Sequence, residues 1–495
     1  MTSSGTGVSG APRKDLTIAI LGAGASGLCM AIAAKRAGFH GVTIYEKSDG
    51  VGGTWRDNTY PGAGCDVPSH LYSFSFAPKP DWSHKFSEQP EILAYFEKVA
   101  DDFGLRPHLR THSAVTAAAF DAEAGLWRLT LGDGSTATAH VLVSGVGQLN
   151  RPYTAEIPGR ESFGGLMFHS ARWDHGAGLQ GKRIAVIGNG ASAVQFVPRI
   201  APAAAHLTVF QRSANWIIPR NDRAYTAFEK QLFASVPPLR AAYREWIYWQ
   251  LEKNFWAFRQ DTLLGRLMEK AARKHLEAQV ADPRLRALLT PDYAVGCKRI
   301  LISDDYYPAL QRPNVSVVDG AIARITRGGV ETADGRHHPA DVIIWGTGFE
   351  TTDFLSPIEI TGLGGVSLNA AWAKGAEAYL GVVTAGFPNF FMLYGPNTNL
   401  GHNSIIFMIE AQVNYALQLV NRLWAERLRW IAVKPEAQAA YNATLQAELG
   451  RTVWAAGCKS WYKTADGRVT NNWSGFTRTY AQRTAAPEPA AFLTA

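Results

Sequence analysis

Two glycine-rich turns, each between a buried strand and a helix, constrain this chain more than any other feature. In "LTIAILGAGASGLCMAIAAKRAGF" the apolar run Leu16 to Leu21 reads as a buried strand, followed by a tight turn and a helix that opens at it, and "GVTIYEK" follows as a second strand. Gly22, Gly24 and Gly27 take the GxGxxG positions, Ala25 and Ser26 stand between them, and Glu46 sits at the tip of the second strand. Such a backbone closes on a pyrophosphate at the helix N-terminus, and an acidic tip accepts from a ribose 2′-hydroxyl while repelling a 2′-phosphate. This half is expected to hold FAD or NAD. The pattern returns in "GKRIAVIGNGASAVQFVPRIA" with Gly188, Gly190, Ala191 and Ser192, and with Ala193 in the third glycine place. Its second strand, "LTVFQRS", ends in Arg212 and Ser213, a guanidinium and a hydroxyl suited to a 2′-phosphate, so this half is expected to prefer NADP.

Opposite ribose preferences imply a flavin in the first site and NADPH in the second, because hydride passes readily from nicotinamide to flavin. The reduced flavin must then give up its electrons. A disulfide reductase needs a CxxC pair, and Cys29, Cys65, Cys297 and Cys458 supply none; their spacing signals neither a disulfide framework nor a metal site and fits a reducing cytoplasm. Dioxygen is therefore the leading acceptor. The net charge of +7 comes without a Lys/Arg block, which disfavours nucleic acid as a partner and leaves nucleotide phosphates as sufficient anions. The opening "MTSSGTGVSGAP" lacks the apolar core of a signal peptide, and the apolar run near Ile405 is broken by Glu410, Gln412 and Asn414, so no transmembrane segment is expected.

With 495 residues, 46% of them hydrophobic, the chain has material for several cores. The expected fold is α/β, with two Rossmann-like dinucleotide-binding domains and an inserted helical domain. Residues 15–150 and 380–484 form the FAD domain, 151–220 and 297–379 the NADP domain, and 221–296 the helical insert. Residues 1–14 are expected to be disordered and 485–495 flexible. In the insert, Trp246, Tyr248, Trp249 and Trp256 are expected to pack helices, with a substrate mouth or a membrane-surface patch as alternatives. No oligomeric state is readable.

Two strings remain. "FGGLMFHSARWD" fits neither helical nor strand periodicity, and "GGTWRDNTYPGAGCD" runs from Gly52 to Asp66. Both resemble fingerprints of the Baeyer-Villiger monooxygenases, flavoproteins that use NADPH and dioxygen. The first matches the family pattern at Phe163, Gly165, His169, Trp173 and Asp174; the second matches it through Gly53, Thr54 and Trp55 to Asp66. The resemblance implies conversion of a ketone to an ester or lactone through a C4a-peroxyflavin, with sulfoxidation as a side activity. It makes the first string a hinge between the cofactor domains, in which His169 exchanges hydrogen bonds while Phe163 and Trp173 pack the linker. It makes Arg299, in "GCKRILISDDYY", the cation that holds the peroxide anion, and Asp66 the carboxylate that orients it. Lys298 then contacts the 2′-phosphate, Trp55 lies near the flavin, and Trp461, in "CKSWYK", touches the nicotinamide ribose. Asn397, Asn399 and Asn403 either bond the flavin or stabilise turns. The rival readings are an N- or S-oxygenating flavin monooxygenase and a redox-sensing flavoprotein without catalysis.

Overall fold

The computed structural model describes residues 14–351, 354–455, 457–458, 460, 462–464 and 466–495. Its first parallel sheet runs in the order Phe390–Met392, Val141–Ser144, Lys14–Leu21, Phe39–Tyr45, Leu109–Arg110. Parallel strands bury both faces, which is why the central runs Ile18–Leu21 and Val141–Val143 are continuously apolar and buried. Ile18, Ile20, Val141 and Val143 pack in one core with the helices Ala25–Arg36 and Ile405–Ala425. Ala19, Leu21 and Leu142 pack on the other side with Trp127 and Leu129 of an antiparallel sheet. The second parallel sheet has the order Val315–Asp319, His206–Gln211, Arg183–Ile187, Val342–Trp345, Leu166–His169.

The two glycine loops meet one steric demand in the same way. Gly22 has φ +96°, and a Cβ there would fall 2.8 Å from the Gly145 carbonyl oxygen; Gly188 has φ +107°, and its Cβ would fall 2.4 Å from the Gly346 oxygen. In both sheets the loop strand thus lies against the glycine that ends its neighbour, and only a residue without a side chain fits. Gly27 is tighter, since a methyl group would sit 1.9 Å from the Gly22 oxygen. Ala193, its counterpart, is fully buried beside Gly346, so the second loop tolerates the methyl.

Several expectations are corrected. The string "FGGLMFHSARWD" contains a strand: Leu166–His169 pairs in parallel with Val342–Trp345 at a sheet edge. Four residues are too few to show a period. Gly165 is needed because a Cβ would lie 2.3 Å from the Asp341 oxygen and 2.8 Å from the Phe163 ring. Phe163 and Trp173 pack on different neighbours: Phe163 joins the cluster of Trp345 and Ile343, and Trp173 meets Phe168 and Phe196 at 5.2 and 5.4 Å. Asp174 caps a turn, its Oδ1 accepting from Gly176 N at 2.8 Å.

Lys14 already belongs to a strand. The C-terminus is ordered as well: Phe492–Thr494 pairs antiparallel with Ile431–Val433, and Ala491 and Phe492 are buried. Two buried residues anchor a tail whose composition looks like a loose end. The return to the FAD side precedes residue 380, because Glu359–Thr361 adds to Val115–Asp121 and Leu355, Ile360 and Leu368 pack with Trp127. A three-residue strand among turns leaves little pattern to read.

The insert comprises the helices Ala227–Ser235, Pro237–Glu252, Leu263–Gln279 and Pro283–Leu288, and Pro237 stands in the first turn of the second of these helices. Tyr248 is buried and shares a hydrogen bond with Thr477 Oγ1 at 2.9 Å, but Trp246, Trp249 and Trp256 are exposed rather than packed between helices. At the helix end, buried Glu252 accepts from Asn403 Nδ2 (2.7 Å), Thr477 Oγ1 (2.8 Å) and Arg478 N (3.1 Å), tying the insert to the flavin side. Among the described residues no helix is long and apolar enough to cross a membrane.

His169 ends the edge strand, buried, with its Nδ1 accepting from Ala171 N at 3.0 Å. Burial lowers its pKa from 6.5 to about 4, against the opposing backbone of Gly348. The folded state therefore binds this proton more weakly than the unfolded chain, so its neutral form contributes full stability above pH 6.5 and loses it as pH falls toward 4. Wild type is expected to lose about 3 kcal/mol through this group between pH 7 and pH 4, a loss absent from His169→Asn. Urea unfolding across that range measures it, and parallel curves for the two proteins would refute the assignment.

Candidate active site

A single cavity of about 1910 Å³ lies between the two glycine loops. A pocket for one drug-sized molecule is roughly 300–1,000 Å³, so this volume suits two long ligands. Gly22, Gly24, Ala25 and Ser26 line it from the first loop, and Gly188, Gly190, Ala191 and Ser192 from the second. Gly24 and Gly190 are the N-cap residues of their helices, and among the described residues no side chain caps either one. Both helices thus present unpaired first-turn N–H groups and positive dipole ends to the same space, a donor set that fits two pyrophosphates. Gly27 and Ala193 lie beneath the loops and contribute space rather than contact.

The ends of the cavity differ in charge. Glu46 is fixed and buried: its Oε2 accepts from Ala23 N at 2.7 Å and its Oε1 from the Ser48 amide and hydroxyl at 2.8 Å each. An anchored carboxylate at this strand tip fits a ribose diol and not a phosphate. At the other end Lys298 donates to Ser213 Oγ at 2.6 Å and lies 4.4 Å above the Tyr293 ring. Burial first, then the nearby Arg212 guanidinium, lowers the Lys298 pKa. Two like charges beside a hydroxyl, with the arginine exposed and the lysine half-buried, form a site that a phosphate dianion relieves.

Asp66 and Arg299 meet inside the cavity with Nη2 and Oδ2 3.0 Å apart. Asp66 ends the Gly52–Asp66 fingerprint on the FAD side, whereas Arg299 follows Lys298 on the NADP side, so the pair spans two domains. The Arg299 side chain is 39% exposed and that of Asp66 16%. Burial works to lower the Arg299 pKa, but Asp66 and then Tyr462 more than offset it, and the guanidinium is held even more firmly charged than usual. Burial pushes the nearby Tyr60 and Tyr462 phenols up to about 12 and that of Tyr394 higher still, so all three stay neutral beside the arginine.

Other lining residues have defined partners. Trp55 donates to Tyr72 OH at 3.1 Å, with the rings edge-on at 5.7 Å. Gly53 and Thr54 line the wall beside it. Tyr394 donates to Asn399 Oδ1 at 2.6 Å, and Asn399 Nδ2 donates to Asn472 Oδ1 at 2.7 Å. Asn397 donates to the Val469 and Asn472 carbonyls, and Asn403 to Glu252, so these asparagines tie loops together. Asn399 and Asn403 also face the cavity. Phe163, Gly165, His169, Trp173 and Asp174 are not among its lining residues; His169 stands behind it, 6.1 Å from the ring of the lining residue Phe349. Trp461 lies outside the described residues.

Sequence reasoning missed three features. Gln195, on the helix of the second loop, accepts from Tyr60 OH at 2.9 Å and donates to Gly64 O at 3.0 Å, joining the domains beside the ion pair. A helical glutamine carries no signal of that kind. Tyr60 itself stood in the Gly52–Asp66 fingerprint and was read only as part of the pattern. The third corrects the cysteine reading, since Cys297 and Cys458 form a disulfide across a separation of 161 residues. Without a local motif such a pair is invisible, and its presence removes the argument for a reducing compartment.

Comparison with known proteins gives the context of this site. Residues 15–235 match the flavin-binding monooxygenase-like family model. A Baeyer-Villiger monooxygenase of Pseudomonas aeruginosa is 44% identical over 469 residues, covering 94% of this chain and 89% of that protein. An oxidised steroid monooxygenase bound to NADP superposes with a TM-score of 0.86 at 31% identity, covering 97% of this chain and 99% of that one. The OTEMO complex with FAD and NADP superposes at 0.86 and 28% identity, over 98% and 100%. A match of this identity along almost the whole length, on a fold with both glycine loops around one cavity, means that the chain belongs to the Baeyer-Villiger monooxygenase family.

Proposed function

We propose that this chain inserts one oxygen atom of dioxygen beside the carbonyl of an apolar ketone, giving an ester or lactone. FAD lies on the first loop and NADPH on the second. The observation that carries this reading is the Asp66–Arg299 ion pair in the cavity between the two loops. Bound flavin, reduced by NADPH, supplies the activation of dioxygen, and the protein supplies binding, orientation and charge. Gly24, Ala25 and Ser26 hold the flavin pyrophosphate and Glu46 its ribose; Gly190, Ala191 and Ser192 hold that of NADPH. Arg212, Ser213 and Lys298 hold the 2′-phosphate. Trp55 packs near the flavin.

Arg299 fixes a permanent positive charge where oxygen must remain deprotonated in order to attack a carbonyl carbon. A guanidinium offers five donors, and Asp66 accepts from one nitrogen, so the remaining N–H groups serve the reacting oxygens. The aspartate holds the fork in one orientation and partly offsets its charge. Neutral Tyr60, Tyr394 and Tyr462 add no competing anion. Leu400, Ile405 and Ile409 give the flavin-side wall an apolar surface, which favours a hydrocarbon ketone over a charged one. His169, behind Phe349, positions the NADP-side wall without touching the reactants. We place the enzyme in the cytoplasm, where NADPH is regenerated.

Labelled dioxygen is expected to leave one oxygen-18 atom in the ester; label-free ester, or hydrogen peroxide alone across a panel of cyclic, linear, aryl and steroid ketones, would contradict the reading. Arg299→Ala should keep flavin reduction by NADPH while ester formation falls about 10²- to 10³-fold, on the scale of a lost oxyanion donor. Wild-type ester formation would remove the arginine from its role. Arg212→Ala should raise the KM for NADPH about 10- to 100-fold and leave that for NADH nearly unchanged, the loss of one charge-assisted contact. Equal losses for both would defeat the 2′-phosphate assignment.

A further inference from the structure

Cys297 and Cys458 are joined with their Cα atoms 6.3 Å apart, within the span of an unforced disulfide. Their positions give the bond a task. Cys297 is 1% exposed and immediately precedes Lys298 and Arg299; Cys458 is half-buried and stands two residues before Ser460, which lines the cavity. The bridge therefore holds the Lys298–Arg299 wall to the Ser460 wall. The arginine segment has non-covalent anchors as well: Gly296 packs on the Phe258 ring, Lys298 bonds Ser213, and Arg299 bonds Asp66. Of these attachments only the disulfide responds to thiols.

We propose that Cys297 and Cys458 form a thiol–disulfide modification site whose co-reactant is a low-molecular-weight disulfide of the glutathione type, and that its oxidised state clamps the Lys298–Arg299 segment for NADPH. Starting from the dithiol, the thiolate of Cys458, the more accessible sulfur, attacks the small disulfide and expels one thiolate. Cys297 then attacks the Cys458 sulfur of the mixed disulfide and expels the second. The two cysteines lose two electrons and two protons, and the small disulfide gains them as two thiols; a small thiol in excess runs the exchange backwards. The effect on NADPH rests on the assignment of Lys298 and Arg299 given above, whereas the exchange chemistry does not.

The test is a titration of the purified holoenzyme in buffers of graded reduced to oxidised glutathione ratio. It is read by non-reducing peptide mass mapping and by the KM for NADPH in flavin reduction. A linked peptide joining the two cysteines is expected on the oxidising side, disappearing reversibly on the reducing side. The bridged enzyme should have a KM for NADPH at least about fivefold lower than the dithiol form, the lower end of ordinary coupling between sites. Cys458→Ser should stay at the dithiol value at every ratio. No linked peptide at any ratio would overturn the modification site, and a KM that is the same in both states would overturn the clamp. The mass readout needs no ketone, so an enzyme that bridges reversibly but yields no ester would sink the proposed activity and leave the cysteine site standing.

Discussion

An aspartate from one nucleotide-binding half and an arginine from the other, 3.0 Å apart, set the terms for the rest of this molecule. A guanidinium cannot shed its charge, so a cavity that contains one must compensate it while leaving part of it available. Asp66 does the first, and the 39% exposure of Arg299 within the cavity lining does the second. Because the partners come from different domains, the pair is also a geometric condition: it exists only when the two halves are correctly apposed. The neighbouring contacts act in the same sense, with Gln195 bonding Tyr60 and Gly64, and Arg220 bonding the Cys65 carbonyl across the same seam.

The glycine loops explain how two ligands reach this pair. Each loop passes so close to the glycine ending the adjacent strand that a side chain is excluded, and each leads into a helix whose first-turn amides face the cavity. The proposed function would seat the anionic parts of two ligands against opposite walls, and the ends of the cavity differ in charge: a fixed carboxylate at Glu46 against Lys298 and Arg212. In the proposed reading, the reactive ends are left to converge near Arg299. Chemistry in the middle and recognition at the ends is an economical use of one cavity.

How much of this was legible in the sequence depended on range. Gly22, Gly188 and Glu46 could be read because a strand–turn–helix unit is local, and its steric rules require particular residues at fixed offsets. The pairing of Asp66 with Arg299, separated by 233 positions, came only through a family resemblance; nothing local brings them together. The same distance effect hid Cys297 with Cys458 and Glu252 with Asn403, whose partners are chosen by packing of the whole chain. The short edge strand at Leu166–His169 failed differently, since edge residues that face partly outward lose the alternation that marks a strand. The C-terminal strand Phe492–Thr494 was missed because Ala491 and Phe492 anchor an alanine- and proline-rich tail that carries no strand pattern.

The central claim is that Asp66 and Arg299 act as one unit, and a double-mutant cycle measures this directly. Asp66→Asn, Arg299→Lys and the double variant would be compared with wild type in kcat/KM for ketone oxygenation. The account predicts losses that fail to add, with a coupling of at least about 1 kcal/mol between the two sites. Losses that add to within about 0.5 kcal/mol would show two independent residues and contradict it.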